Sequence, residues 1–304
     1  MKLIKPSFEI REQPSGLEGV YKQIERVGRV CYKSEDKITE DSAKPFVDRM
    51  IASGHGAMLE HGTVYLKCET EVINRYIHPE DGEEEDFNKL EKYEYNSYSV
   101  TNDDGIYLYV TTNLRVLVEN DWLDDLQYIC EPTEYHEKRI TVKFICDRGV
   151  SHEFVRHRVF SFAQESTRYC NYSKDKFDSE CTFIIPCWLN IVEGSYTLED
   201  VEEKYDRCLI TDSGKGITNE AAEYIRSLIY SEKTYFSLLD RNWRPQQARA
   251  VLPNSLKTEL VMTGFVSDWK HFFELRCSSS AHPQARELAI PLQEEFIARG
   301  YINN

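Results

Sequence analysis

Arg156-His157-Arg158-Val159-Phe160-Ser161-Phe162-Ala163-Gln164-Glu165-Ser166-Thr167-Arg168-Tyr169 is the stretch on which the reading of this chain turns. It lies in a basic island made of Lys138, Arg139, Lys143, Arg148, Arg156, Arg158, Arg168, Lys174 and Lys176. At about 3.6 residues per helical turn, Arg156 and Arg158 diverge by about 200°. The triplet can therefore reach two separate anions, or two parts of one large ligand. Ser166-Thr167-Arg168 then offers hydroxyls, backbone N–H groups and a fork-shaped cation within three residues, a set that suits a phosphate monoester. The plainer alternative is a group of surface salt bridges in an acidic protein.

Around the island the chain is acidic, with 37 Lys and Arg against 52 Asp and Glu and a net charge of −15 over 304 residues. Most of such a surface repels nucleic acid and anionic membranes, so an anionic ligand must bind where positive charge is concentrated. Hydrophobic residues are 41% and charged residues 29%, an ordinary globular balance. The chain is long enough to build a core without disulfide or metal staples. One α+β domain over residues 1–304, with an acidic segment inserted at about 79–98, fits better than two domains. No apolar run is long enough to span a bilayer, and Met1-Lys2-Leu3-Ile4-Lys5-Pro6 opens no stretch of signal-peptide length. Nine cysteines, an odd number with no Cys-x-x-Cys pair, point to reduced thiols in a cytoplasmic protein and away from a disulfide scaffold or a zinc site.

Patterning predicts helices over residues 15–33 and 39–53, the second with Thr39 as N-cap, and a strand over 63–68. Pro79-Glu80-Asp81-Gly82-Glu83-Glu84-Glu85-Asp86, followed by Tyr93, Tyr95 and Tyr98, reads as a solvated insertion. A strand over 106–112, a helix over 113–130 and a strand over 140–146 come next. Asp147-Arg148-Gly149 reads as a turn, with Ser151 capping a following helix. Helical patterns cover 197–240 with a break at Asp212-Ser213-Gly214-Lys215-Gly216, then 256–276 and 282–298.

Arg156-His157-Arg158, seven residues, then Ser166 resembles the signature of the flavin-dependent thymidylate synthases, and Arg168-Tyr169 also matches that family. Similar segments follow the family's order. They are Gly28-Arg29-Val30-Cys31-Tyr32, Gly54-His55-Gly56-Ala57-Met58-Leu59-Glu60-His61, Ala248-Arg249-Ala250-Val251-Leu252-Pro253, Thr263, His271-Phe272-Phe273-Glu274-Leu275-Arg276 and Ala281-His282-Pro283-Gln284. The resemblance covers about residues 16–298, apart from an insertion near 79–137. It implies a mixed sheet flanked by helices, assembled as a homotetramer whose active sites draw on several subunits.

The resemblance further implies an enzyme that binds FAD and dUMP. It takes a one-carbon unit from methylenetetrahydrofolate and uses NADPH to reload the flavin. Arg276 matches the group that stabilises charge developing on the uracil ring. The alternative for Arg276 is an ion pair with Glu274 or Glu287. Ser166 and Arg168 match the dUMP phosphate contacts, with the backbone of residues 164–167 (Gln164, Glu165, Ser166, Thr167), and Arg249 joins them from a distant segment. Glu153 falls where the family has a Gln on the nucleotide. Arg156, His157 and Arg158 match FAD contacts, Arg156 and Gln164 near both ligands, and His55 and His271 match flavin-facing positions. The chain departs from the family pattern at Ala163, Gln164, Phe265, Ser267 and Cys31.

Cys187 lacks the Pro-Cys-His setting of cysteine-dependent thymidylate synthases and reads as a packed thiol. Two other readings are carried. A non-catalytic nucleotide-binding protein of the same fold would bind dUMP without retaining FAD. A metallohydrolase would use His55, Glu60, His61 and His152, which lack His-Glu-x-x-His spacing.

Overall fold

The computed structural model describes residues 1–70, 90–174, 177–202 and 219–303. The acidic run at 79–86, the break at 212–216, Lys176 and Cys208 lie outside them. In chain order come β1 (Lys2–Ile4), β2 (Ser7–Arg11), α1 (Gly16–Val30), α2 (Ala43–Ala52), α3 (Gly56–Leu59), β3 (Thr63–Glu69), β4 (Val100–Asp103), β5 (Tyr107–Asn113) and α4 (Leu114–Glu119). Then follow β6 (Arg139–Asp147), α5 (Arg148–Phe154), β7 (Ser161–Gln164), β8 (Thr182–Ile184), β9 (Gly194–Ser195), α6 (Leu198–Glu202), α7 (Asn219–Asp240), α8 (Pro245–Ala248), β10 (Lys257–Phe265), α9 (Val266–Arg276) and α10 (Pro283–Ala298).

The chain is α+β, but the single mixed sheet expected from the sequence is three separate sheets among the described residues. The central one is antiparallel, in the order β2-β6-β10-β7. Its spine is the nine-residue pairing of β6 with β10, from Arg139↔Phe265 to Asp147↔Lys257. Only the small β8-β1-β9 sheet mixes directions, because β1 pairs parallel with β8 and antiparallel with β9. The third, β3-β5-β4, is antiparallel.

Side-chain alternation along β6 and β10 gives the central sheet two different faces. Val142, Phe144, Leu260 and Met262 pack with Phe154 of α5, Trp269, Phe272 and Phe273 of α9, and Leu288, Leu292 and Phe296 of α10. Val261 points the other way, to Val27 and Val30 of α1. On that face a polar string runs from Gln23 through Thr141 and Thr263 to His61, with links of 2.8, 2.8 and 2.7 Å. Helix α1 also reaches a second core, where Val20 and Ile24 meet Phe46, Leu59, Val64 and Val110.

Several local expectations shift. Residues 257–265 form a strand, not the start of a helix. Every position from 258 to 264 is buried, and a strand covered on both faces shows no alternation that separates it from a buried helix. The expected helix over 113–130 splits, with α4 ending at Glu119 and a 3₁₀ helix at Leu123–Tyr128. Asp121 between them sits at φ 60°, outside helical space. The cap of α5 is Asp147, not Ser151: its Oδ1 accepts from the Val150 N–H at 2.6 Å. Ser42, not Thr39, precedes α2. Tyr93 does not belong to a solvated insertion. It is fully buried, edge-on to Trp122 at 4.8 Å, and its hydroxyl donates to Asp125 at 2.9 Å. Tyr95 and Tyr98 are exposed as expected.

Candidate functional site

The first group of site residues lies on the α5 and α9 side of the central sheet. Helix α5 ends at Phe154, so Arg156, His157 and Arg158 occupy a turn and not the helix that the sequence reading assumed. They separate by burial all the same. Arg156 and Arg158 face solvent while His157 is buried between them, 5.0 Å from the Phe272 ring. Arg276, at the end of α9, reaches back to this turn. Its Nε donates to His157 Nε2 at 2.9 Å, its Nη1 to Glu153 Oε2 at 2.8 Å, and its Nη2 to the Glu153 carbonyl. The Arg276 ion pair is therefore with Glu153, not with Glu274 or Glu287. Glu274 instead lies 3.3 Å from His271, which is exposed on α9.

The electrostatics follow from these contacts. The hydrogen bond from Arg276 holds Glu153 below the ordinary carboxylate range. Burial, then the charge of Arg276, pulls His157 down to about 4. The ring is thus neutral near pH 7, and since Nε2 accepts from Arg276 its proton sits on Nδ1. A neutral histidine and a carboxylate together hold the guanidinium in one orientation. Beside Glu153 opens a cavity of about 440 Å³, lined by His152, Trp188, Tyr224, His282 and Gln284 among others.

The second group lies where β7 runs out, next to the end of α1. The Ser166 N–H donates to the Cys31 carbonyl at 3.0 Å, and the Ser166 hydroxyl accepts from the Arg168 N–H at 3.3 Å. Arg249 comes in from the turn after α8 and donates to the Thr167 hydroxyl at 2.8 Å. Arg168 is exposed, its guanidinium 5.1 Å from the Tyr169 ring centre. Arg249 thus reaches, from 82 residues away, the loop that carries Arg168. Neither forms an ion pair among the described residues. That arrangement suits a dianionic phosphate.

Alternation sends Gln164 and Glu165 to opposite faces. Gln164 donates to the hydroxyls of Ser151 and Thr258, at 2.9 and 3.2 Å. Glu165 is buried, its carboxylate bound by Lys257 at 2.8 Å and Tyr172 at 3.2 Å, and its N–H bonds the Glu259 carbonyl. Lys257, Glu259, Lys33 and Lys143 form the rest of this network; the basic island includes Lys143, but the sequence singles out none of the other three. Lys257 and Glu259, two apart on one strand, carry the only local signal.

His55 stands apart from both groups. It is exposed at the start of α3, 3.3 Å from the Ser53 hydroxyl, while nearby Glu60 pairs with Arg115. Among the described residues no hydrogen bond or ion pair joins Arg276, Glu153 and His157 to Ser166, Thr167, Arg168 and Arg249. His55, Glu60, His61 and His152 do not converge either, since His61 is buried against Thr263 and Glu60 is taken by Arg115. Cys187 is exposed, not packed. Partial desolvation and the Glu287 carboxylate raise its thiol above the ordinary range, which keeps it protonated.

The chain matches the family model described as thymidylate synthase complementing protein over residues 132–299, more than half its length. A flavin-dependent thymidylate synthase from Corynebacterium efficiens is 31% identical over 149 residues, 49% of this chain and 53% of that one. One from Pyrococcus furiosus is 29% identical over 154 residues, 51% of this chain and 52% of that one. The chain spans about half the length of the curated relatives it matches. Among solved structures, a UMP/dUMP methylase from Streptomyces cacaoi bound with 5-Br dUMP aligns over 98% of this chain and 93% of its own, with 15% identity and a TM-score of 0.42. Thymidylate synthase X from Helicobacter pylori, solved with FAD and dUMP, aligns over 51% of this chain and 66% of its own, with 20% identity and a TM-score of 0.35. With the family model covering both arginine groups, the chain belongs to the thymidylate synthase complementing protein family.

Proposed function

We propose that the protein is a flavin-dependent thymidylate synthase that converts dUMP to dTMP. Its co-substrates are methylenetetrahydrofolate as one-carbon donor and NADPH as reductant. The observation that carries the reading is the reach of Arg249 to Thr167, in the loop that also carries Ser166 and Arg168, inside the segment matched by the family model. Arg168, Arg249 and the Ser166 and Thr167 hydroxyls hold the nucleotide phosphate. Arg276 lies beside the uracil and stabilises negative charge developing on the ring as C5 attacks the one-carbon unit. Glu153 and neutral His157 orient that guanidinium, and Glu153 or Gln164 accepts from the nucleoside.

FAD fits the turn at 156–158. Arg156 and Arg158 are exposed there, and Arg158 makes no hydrogen bond or ion pair among the described residues. Arg156 also pairs with Glu153 at 3.4 Å, so Arg158 is the unpaired cation of the turn; a solvent-facing arginine pair suits a diphosphate. Bound FAD supplies the hydride that reduces the transferred carbon. His55 and His271 are assigned to the flavin. In this reading His55 reaches it from another copy; among the described residues no hydrogen bond or ion pair links it to the turn.

We read the chain as one domain, because α1 packs into two cores at once, and as a homotetramer that brings the two arginine groups together. No helix among the described residues is long and apolar enough to cross a membrane. With its eight described cysteines free, we place the protein in the reducing cytoplasm.

The test is a visible spectrum after incubation with FAD and desalting, followed by a turnover assay with dUMP, methylenetetrahydrofolate and NADPH. The expected result is a retained flavin band near about 450 nm and formation of dTMP. Flavin-loaded protein that makes no dTMP overturns the reading. Binding of dUMP without retained flavin replaces it with a non-catalytic nucleotide-binding protein.

A further inference from the structure

We infer that the buried lysine–glutamate network under residues 165–168 positions the anion site and keeps it attractive to a phosphate. The inference rests on the reading of Ser166, Thr167, Arg168 and Arg249 as that site.

Two carboxylates lie close to the proposed phosphate position. Glu165 immediately precedes Ser166, and Glu259 sits on the paired strand, its carbonyl accepting from the Glu165 N–H at 2.8 Å. Their side chains are only 1% and 6% exposed, so water screens them little. Left bare, both would repel a dianion. Three lysines answer them. Lys257 Nζ bridges Glu165 and Glu259, 2.8 Å from each. Lys33 Nζ lies 2.7 Å and Lys143 Nζ 3.1 Å from Glu259, and Lys33 also meets Glu35 at 3.2 Å. Among the described contacts three lysines thus stand against three carboxylates, Glu35, Glu165 and Glu259, and their charges balance. The charges of Arg168 and Arg249 are left for the ligand.

The same network fixes the loop's shape. Lys33 adopts φ 48°, a left-handed conformation uncommon outside glycine, and from there its amine reaches Glu259. Two residues earlier, the Cys31 carbonyl takes the Ser166 N–H. On the other side Tyr172 donates to Glu165 at 3.2 Å. The loop is therefore pinned before Ser166 by side chains and at Ser166 by backbone. These residues touch no ligand; they are positioning residues.

A charge-balance cycle tests the inference, with dUMP affinity read by calorimetry and flavin retention and melting temperature read in parallel. Lys257→Met is expected to weaken dUMP binding by about tenfold, because a buried carboxylate is left uncompensated. Adding Glu165→Gln to Lys257→Met restores the balance and most of the affinity. Lys33→Gln, at a more exposed position, shifts affinity the same way by a smaller factor and carries the test if Lys257→Met does not fold. Flavin retention at the 156–158 turn, which shares no hydrogen bond or ion pair with this network among the described residues, stays at the wild-type level in all three. Folded Lys257→Met and Lys33→Gln proteins that bind dUMP as tightly as wild type overturn the inference. So does a double variant as weak as Lys257→Met alone, which would make the lysine a packing group. Wild-type protein that does not bind dUMP overturns the proposed function, and this inference with it.

Discussion

His157 and His61 are both buried and neutral, and both carry a pH dependence. His61 packs against Thr263 with its Nε2 unpartnered, and burial followed by Arg139 pulls it down to about 3. His157 is pulled to about 4. In the unfolded chain both protonate near 6.5. Their folded-state values are depressed, so the unfolded chain gains protons first as pH falls. Stability is full above about pH 6.5 and is lost from there down to about 4 for His157 and about 3 for His61. Denaturant midpoints should fall clearly between pH 7 and pH 5, and His61→Gln should flatten part of that fall. A wild-type profile flat over this range would contradict the burial of both rings. The resemblance marked His157 as a flavin contact; that its ring is also the acceptor for Arg276 came only from the packing of α9 against the turn.

Among the elements, β10 and the turn before β7 depend on one close approach. A Cβ at Gly264 would lie 2.6 Å from the Phe160 ring, which itself packs 4.7 Å from Trp269. The ring is hemmed in by Trp269 and Phe272, so an added methyl cannot be absorbed by rotating it away. Gly264→Ala should cost about 1–3 kcal/mol and displace the 156–160 turn. A lowered melting temperature with weaker flavin retention is expected, and an unchanged pair of values would mean that Phe160 does not set the turn. This element was also the hardest to read from the sequence. The amphipathic stripe of α1 and the strands β3, β5 and β6 show in the pattern because each has a wet side or β-branched runs. β10 has neither a wet face nor a turn signal before α9, and its identity comes from pairing with β6 and β7.

Across the whole molecule, the two arginine groups sit on different parts of one chain. If each complete site draws Arg276 from one copy and Arg168 from another, the two defects can complement. Arg276→Ala and Arg168→Ala proteins should each be nearly inactive. Mixing them under conditions that exchange subunits should restore part of the dTMP-forming activity. Native mass spectrometry on the same mixture reports the assembly. No recovery after demonstrated exchange would mean that both groups serve one site within a single chain. The opposed placement is a matter of topology: α5 and α9 cover one face of the central sheet, while residues 165–168 emerge beside α1 on the other.

The order of segments along the chain carries the family, the α+β class and the identity of the arginines, because those are written in residue types and spacings that no folding step alters. Tertiary structure alone decided the partners. Glu153 and not Glu274 meets Arg276, because Phe154 of α5 packs on Phe272 of α9 and residues 123 apart come into hydrogen-bond contact. The Glu165 side chain meets Lys257, 92 residues away, because the pairing of β7 with β10 brings the two segments together. Such pairings depend on which faces are buried together, and a linear pattern does not hold that information.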